Sequence, residues 1–290
     1  MRHERVTPQP YFDLDGTSLI LEGDAVVALQ RIPDKSIQCC VTSPPYWSLR
    51  DYGIKGQIGI EDSVYQYIHT LIGVFREVRR VLKDDGTLWL NIGDSYTSGG
   101  RTWRAPDKKN PARAMSIRPD TPEGLKPKDL IGVPWRLAFA LQNDGWYLRS
   151  DIIWHKPNAM PESVKDRPTR CHEYVFLFSK SEKYYYDYQA VREANGRNRR
   201  SVWSIHTQPY KEAHFAVYPP ALVEPCLLAG SRPGDYVLDP FLGSGTTAAV
   251  CQDLGRRYVG IELNPEYVQI ALKRLRRLDA EAPEVRKVVS

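Results

Sequence analysis

Val237-Leu238-Asp239-Pro240-Phe241-Leu242-Gly243-Ser244-Gly245-Thr246-Thr247-Ala248 reads as a short apolar strand, a tight glycine turn and the opening of a helix. Glycines at 243 and 245 permit a sharp turn and close approach of a ligand, and the helix start leaves backbone N–H groups without intrahelical partners. Gly243-x-Gly245-x-x-Ala248 also fits the dinucleotide fingerprint of a nicotinamide or flavin enzyme. Asp239 weighs against that alternative. A carboxylate just ahead of the turn repels a pyrophosphate but suits a ligand bearing an ammonium and a sulfonium, such as S-adenosylmethionine (AdoMet). The next strand, Arg257 to Glu262, ends in an acid 23 positions after Asp239. Dinucleotide-type folds place a ribose-binding carboxylate near there, so Glu262 is expected to accept from both ribose hydroxyls. Asn264-Pro265-Glu266 reads equally as a helix cap with proline at the first helical position, and Glu262 can serve beside it.

Outward from this unit, the chain repeats its plan. Leu19-Ile20-Leu21 reads as a strand and Ala25 to Arg31 as a helix capped by Asp24, followed by the strand Ile37 to Val41. Apolar residues at helical spacing (Ile68, Leu71, Ile72, Phe75, Val78, Val81, Leu82) predict a helix over 65–82. Asp85-Gly86 then reads as a stop before the strand Thr87 to Ile92. A helix over 130–142 precedes a strand over 146–154, and Glu173 to Phe178 with Lys183 to Tyr186 read as antiparallel additions joined through 179–181. Alternating strands and helices predict an α/β fold: a doubly wound, mostly parallel sheet with helices on both faces. All 290 residues are assigned to one domain.

A second informative stretch, Thr42-Ser43-Pro44-Pro45-Tyr46-Trp47, follows the strand that ends at Val41. Ser-Pro-Pro-Tyr can be a rigid turn and nothing more, but here it leads into Trp47, Arg50 and Tyr52 in place of linker residues. Its chemistry suits methylation of a poorly nucleophilic amine. The lone pair of a nucleobase amino group is delocalised into the ring, so the nitrogen must be drawn toward tetrahedral geometry before it attacks. The Ser43 hydroxyl and the Pro44 carbonyl can each accept one amine hydrogen, while the two prolines fix φ and offer no competing N–H. Tyr46 offers a ring face to a base swung out of its stack.

With these motifs in hand, the chain resembles the β class of DNA amino-methyltransferases, in which the catalytic motif precedes the cofactor motif. The resemblance covers nearly the whole chain: Ser43 to Tyr46 match the family's [S/D/N]-P-P-[Y/F/W], Phe241 to Gly245 its F-x-G-x-G, and Glu262 its ribose acid. It implies a Rossmann-like fold, AdoMet as methyl donor and no metal. Ser43, Pro44, Pro45 and Tyr46 would be catalytic; Asp239, Phe241, Gly243, Gly245, Thr246 and Glu262 would hold the cofactor. The segment 213–219 resembles the family's methionine-holding motif, which adds His214 and Phe215. An acid near position 24 approaches the cofactor's adenine in such enzymes, so Asp24 is a candidate for that contact as well as for capping. Ser before the two prolines is similar to members that methylate cytosine at N4; adenine-N6 members more often carry Asp there. Cytosine N4 in duplex DNA is therefore the expected target, with adenine N6 as the alternative and a non-catalytic DNA-binding protein as a more distant one. In either enzyme the strands ending at Val41 and Asp239 should lie side by side, so that their loops share one crevice.

The composition is compatible with this. The net charge of +5 is modest, so a nucleic-acid surface must come from local clustering. Segments 94–129 and 155–212 are basic, long and weakly periodic, and are expected to be DNA-contacting insertions. Arg50, Arg167, Arg170, Arg197, Arg199 and Arg200 are the expected DNA contacts, with Trp203 and His206 as flat rings beside the last three. A homodimer and a cognate restriction endonuclease are further partners that the family resemblance admits. Five cysteines without a C-x-x-C pair suggest reduced thiols, and Cys251 and Cys226 read as buried filler. No apolar run approaches the ~20 residues that cross a bilayer, and the first residues lack the apolar stretch of a signal peptide, which together predict a cytoplasmic enzyme.

Overall fold

The computed structural model describes residues 11–14, 16–97, 119–208, 218–276 and 283–288. In chain order its elements are β1 (Leu19–Glu22), α1 (Ala25–Leu29), β2 (Ile37–Thr42), α2 (Val64–Val81), β3 (Leu82–Ile92), α3 (Val133–Asn143), β4 (Tyr147–His155), β5 (His172–Ser179), β6 (Val202–Ser204), α4 (Pro220–Gly230), β7 (Tyr236–Asp239), α5 (Thr246–Asp253), β8 (Arg257–Glu262), α6 (Pro265–Arg276) and β9 (Glu284–Lys287). The strands form one sheet in the order β6-β4-β5-β3-β2-β7-β8-β1-β9. Among them β5 alone runs against its neighbours; every other pairing is parallel.

Side chains alternate across the sheet and build a core on each face. Tyr236 and Leu238 of β7 join the core with α1, α2 and α3, while Val237 between them joins the core with α4, α5 and α6. Helix α2 buries Tyr67, Leu71, Val74, Phe75 and Val78 along one stripe, as its spacing requires, and Ser63 caps its start by accepting from the Gln66 amide. Helix α3 is capped from a distance: Asp94 accepts from the Gly132 and Val133 amides (3.0 Å each).

Two boundaries differ from the sequence reading. Strand β3 begins at Leu82, directly after α2, because Asp85-Gly86 is absorbed into an irregular pairing with β2 instead of making a turn. Residues 183–186 form no strand. Strand β5 is already flanked by β3 and β4, so a returning segment finds no free edge. That stretch crosses the sheet's end instead, with the Tyr185 amide bonded to the Asp85 carbonyl and the Tyr186 ring stacked on Trp89.

The connections that place the site are those around β2 and β7. These strands pair in parallel through Cys39 with Val237 and Cys40 with Leu238. From β2 the chain crosses by way of α2 to β3 on one side; from β7 it crosses by α5 to β8 on the other. The order reverses between them, and the loops leaving both strands open at the same end of the sheet, the crevice where ligands bind in such folds.

Candidate active site

One cavity of about 1100 Å³ lies over this switch point, and Ser43, Pro44, Pro45 and Tyr46 line it together with Asp24, Phe241, Gly243, Thr246 and Glu262. A side-chain bond clamps the two strand ends together: Thr42, at the end of β2, donates to Asp239, at the end of β7 (2.7 Å).

On the β2 side the loop is held from below. Tyr67 of α2 donates its hydroxyl to the Pro45 carbonyl (2.8 Å), and the buried Trp47 indole donates to the Glu61 carbonyl (2.9 Å). The Tyr46 ring sits against Gly93, where a Cβ would come within 2.7 Å of it, so only glycine fits at that position. The Tyr46 hydroxyl donates to Glu173 Oε2 (2.8 Å), lies 3.3 Å from Asn91 Oδ1, and receives the Ser43 hydroxyl at 3.4 Å. Burial raises the Tyr46 pKa well above the phenol range, so it remains a neutral donor. Glu173 also accepts from Asn91 Nδ2 (3.2 Å) and pairs with the Lys156 ammonium. This chain of polar groups joins β3, β4 and β5 to the proline loop.

On the β7 side the contacts are mostly to backbone. Gly243 takes the left-handed conformation (φ 53°) that the turn requires, and its amide donates to Glu262 Oε2 while the Asn264 amide donates to Oε1 (2.8 Å each). Each Glu262 oxygen keeps a lone pair for another donor. Burial lifts the Glu262 pKa from 4.5 to about 7, a cost that hydroxyl donors from a bound ribose would offset. Asp24 Oδ1 caps α1 by accepting from Val26 and Val27 (2.9 and 3.0 Å), and the Gly23 amide bonds the Glu262 carbonyl, which brings β1's loop to the cavity rim. Ser244 Oγ is buried in the cavity wall without a hydrogen-bond partner among the described residues. An orphaned hydroxyl, an acid with spare acceptors and a glycine turn fit a polar ligand with an amino-acid arm and a ribose.

Several expected site residues lie elsewhere. Asp239 does not face the ligand: its carboxylate is enclosed by Thr42, Thr247 (2.7 Å), Tyr218 (2.8 Å) and the Phe241 amide (3.1 Å), and burial raises its pKa. It ties strand ends and turn together. Gly245 is also turned away from the cavity. Its φ is 81°, and a Cβ there would meet the Ala271 Cβ of α6 at 3.0 Å, so glycine is needed there for helix packing. His214 and Phe215 lie outside the described residues, as does most of the basic stretch within 94–129.

Of the arginines, Arg50 and Arg170 line the cavity, and Arg170 stands 3.8 Å from the buried Asp94. Arg167 lies over the Tyr96 ring and pairs with Glu162 (2.6 Å); Arg200 pairs with Glu193 (3.0 Å); Arg197 is exposed. Arg199 covers Trp203, whose ring is buried against Trp89 and so is closed to an incoming base. Cys226 and Cys251 are buried, and their thiols are pushed far above their usual pKa, which removes them as nucleophiles. Asn91, Lys156 and Glu173 belong to the site without standing in any sequence motif. Their signals were slight: an acid at the mouth of the otherwise apolar β5, and a lysine before a proline where β4 ends. Among the described residues no cluster could hold a metal ion.

A doubly wound sheet with an acceptor loop and a glycine turn facing each other across its switch point defines the methyltransferase class of Rossmann-like folds. The family described as DNA methylase, of the N6/N4 type, matches residues 37–273. The chain belongs to that family and is an AdoMet-dependent DNA methyltransferase. It is 66% identical over 271 residues to the Type II methyltransferase M.Cfr9I of Citrobacter freundii, spanning 92% of this chain and 90% of that protein. With M.SmaI of Serratia marcescens the identity is 65% over 264 residues, spanning 89% and 90%. The solved structure of a putative DNA modification methylase from Thermus thermophilus, complexed with S-adenosyl-L-methionine, superposes with a TM-score of 0.68 at 28% identity, covering 94% of this chain and 99% of that one. PvuII DNA methyltransferase, cytosine-N4-specific, shares the fold with a TM-score of 0.70 at 23% identity, over 89% and 86% of the two chains.

Proposed function

We propose that this enzyme transfers the methyl group of AdoMet to the exocyclic N4 amine of a cytosine everted from duplex DNA. The observation that carries this reading is the meeting of the Ser43 to Tyr46 loop and the Gly243 turn in one cavity. Ser in place of Asp before the prolines favours cytosine over adenine, by likeness to the N4 members of the family.

Phe241, Gly243, Thr246 and Glu262, with Asp24 at the rim, hold AdoMet, which supplies an electrophilic methyl carbon. Ser43 Oγ and the Pro44 carbonyl accept the two amine hydrogens and draw the nitrogen out of conjugation. Tyr46 stacks on the pyrimidine, its ring angle fixed by the hydroxyl's bond to Glu173. The nitrogen lone pair forms the N–C bond as the C–S bond breaks, and sulfur keeps that electron pair. The positive charge spreads from sulfur toward nitrogen in the transition state, so a cleft that excludes water and aligns nitrogen, carbon and sulfur supplies much of the rate. The methylated amine then sheds a proton by way of the Ser43 hydroxyl; it is acidic enough that no strong base is required. Arg50 and Arg170 at the cavity contact the DNA backbone.

Digestion of treated duplex to nucleosides and mass spectrometry tests the assignment. N4-methylcytosine is the expected product; N6-methyladenine would overturn the cytosine reading.

A further inference from the structure

In both bases that carry a target amine, a ring nitrogen stands next to the amine carbon: N3 beside N4 in cytosine, N1 beside N6 in adenine. That ring nitrogen has a lone pair in the ring plane, outside the π system, and is intrinsically the better nucleophile. An enzyme that presents the base edge to a methyl cation equivalent must therefore suppress the wrong nitrogen as well as activate the right one. The oxygen acceptors at Ser43 and Pro44 do the second. They do nothing for the first.

The structure offers one group of the right kind. Lys156 lies just beyond β4 in the wall of the same cavity, with only 18% of its side chain exposed, and its ammonium rests 4.2 Å from the centre of the Trp154 ring. One carboxylate separates it from the acceptor loop: Glu173 Oε1 holds Lys156, and Glu173 Oε2 holds the Tyr46 hydroxyl, which in turn meets Ser43. The cation is thus linked to the amine acceptors through a single acid that Asn91 also restrains, and both line the same cavity. An ammonium has three donors, and Glu173 uses one.

We propose that Lys156 donates to the ring nitrogen beside the target amine and thereby directs methylation to the exocyclic position. Its N–H occupies the in-plane lone pair, and its positive charge repels the sulfonium methyl from that side. Glu173 orients the ammonium and offsets its charge, so the amine itself is not impoverished. When this block is removed, the ring-nitrogen lone pair forms the N–C bond while the C–S bond breaks, and sulfur again keeps the electron pair. The product is then the cationic 3-methylcytosine, or its conjugate base after loss of the amine proton to water. The inference rests on the acceptor roles given above to Ser43 and Pro44, but not on which base is the target.

The test is the isomer ratio of the product. Wild type, Lys156→Met, Lys156→Arg and Glu173→Gln are each incubated with AdoMet and duplex DNA under single-turnover conditions, and the nucleosides are separated by chromatography before mass analysis, since the isomers share a mass. Wild type should give the amine product alone. Lys156→Met should turn over about 100-fold more slowly, the lower end of typical losses for a positioned proton-donating group, and should place a measurable fraction of methyl on the ring nitrogen. Lys156→Arg should restore the amine product, and Glu173→Gln, which keeps the cation but loosens it, should show the same diversion in weaker form. Residual product confined to the amine in Lys156→Met and Glu173→Gln, or no product in any variant that still binds AdoMet by calorimetry, overturns the inference. A wild-type product on adenine would sink the cytosine reading while the ratio of 1-methyl to N6-methyl adenine still decides the role of Lys156.

Discussion

The two walls of the cavity are built by different means. The β7 wall is local: a glycine turn, the acid at the end of the next strand and the cap of the following helix, with Glu262 receiving amides from Gly243 and Asn264 at sequence separations of 19 and 2. The β2 wall is assembled from distant pieces, with Tyr46 reaching Glu173 at a separation of 127 and Asn91 at 45. A backbone turn holds a ligand common to many enzymes. On the proposed reading, a cross-chain network of side chains holds the target base, whose edge must be met from several directions at once.

The strongest break between the walls should come from single substitutions read in two assays. Ser43→Ala should lower methyl transfer by about 100-fold or more, in line with the loss of one oriented hydrogen-bonding group at the reacting centre, and Tyr46→Ala, which removes the stacking face, should also lower it severely, with AdoMet affinity by calorimetry nearly unchanged in both. Glu262→Ala should reverse the balance, weakening AdoMet binding by roughly 10- to 100-fold through loss of charge-assisted hydrogen bonds while transfer at saturating AdoMet falls less. Equal losses of affinity in both sets would erase the distinction.

A smaller effect sharpens it. Tyr67→Phe removes the bond that holds the Pro45 carbonyl and should cost about 1 kcal/mol of stability by denaturant titration, with a fall in kcat and little change in AdoMet affinity. Unaltered kcat would mean that the proline loop keeps its shape without this anchor.

The smallest effect concerns pH. Glu262 has a pKa of about 7 in the ligand-free fold against 4.5 when unperturbed, so folding favours its protonated form. The stability it contributes is full below the unperturbed value and is lost as pH rises through about 7. Between these limits the ligand-free melting temperature should fall by a few degrees more in wild type than in Glu262→Gln, and saturating AdoMet should shrink that difference. Parallel pH curves for the two proteins would remove Glu262 as the source.

The same contrast explains what could be read from sequence. The β7 wall is written in contiguous residues, so the strand, turn, cap and acid from Val237 to Pro265 are all visible before folding. The pairing of β2 with β7 follows from the crevice rule once two loops are known to serve one reaction. Asp239 looks like a ligand contact in sequence because a carboxylate stands beside a turn; in the fold its donors, Thr42, Tyr218 and Thr247, enclose it. Gly245 poses a related question: glycine permits close approach, and only the fold shows that α6 makes one there. No spacing in the sequence links Lys156 and Glu173 to Ser43; only the docking of β5 between β3 and β4 does.

The most direct test is a crystal structure of the enzyme with S-adenosylhomocysteine and a duplex containing its recognition site. The account requires an everted cytosine whose N4 lies about 3 Å from both Ser43 Oγ and the Pro44 carbonyl, hydrogen-bond distance, with the cofactor's ribose on Glu262 and its sulfur facing the amine. A target base left stacked in the duplex, or seated away from the Ser43 loop with the cofactor in place, would contradict it.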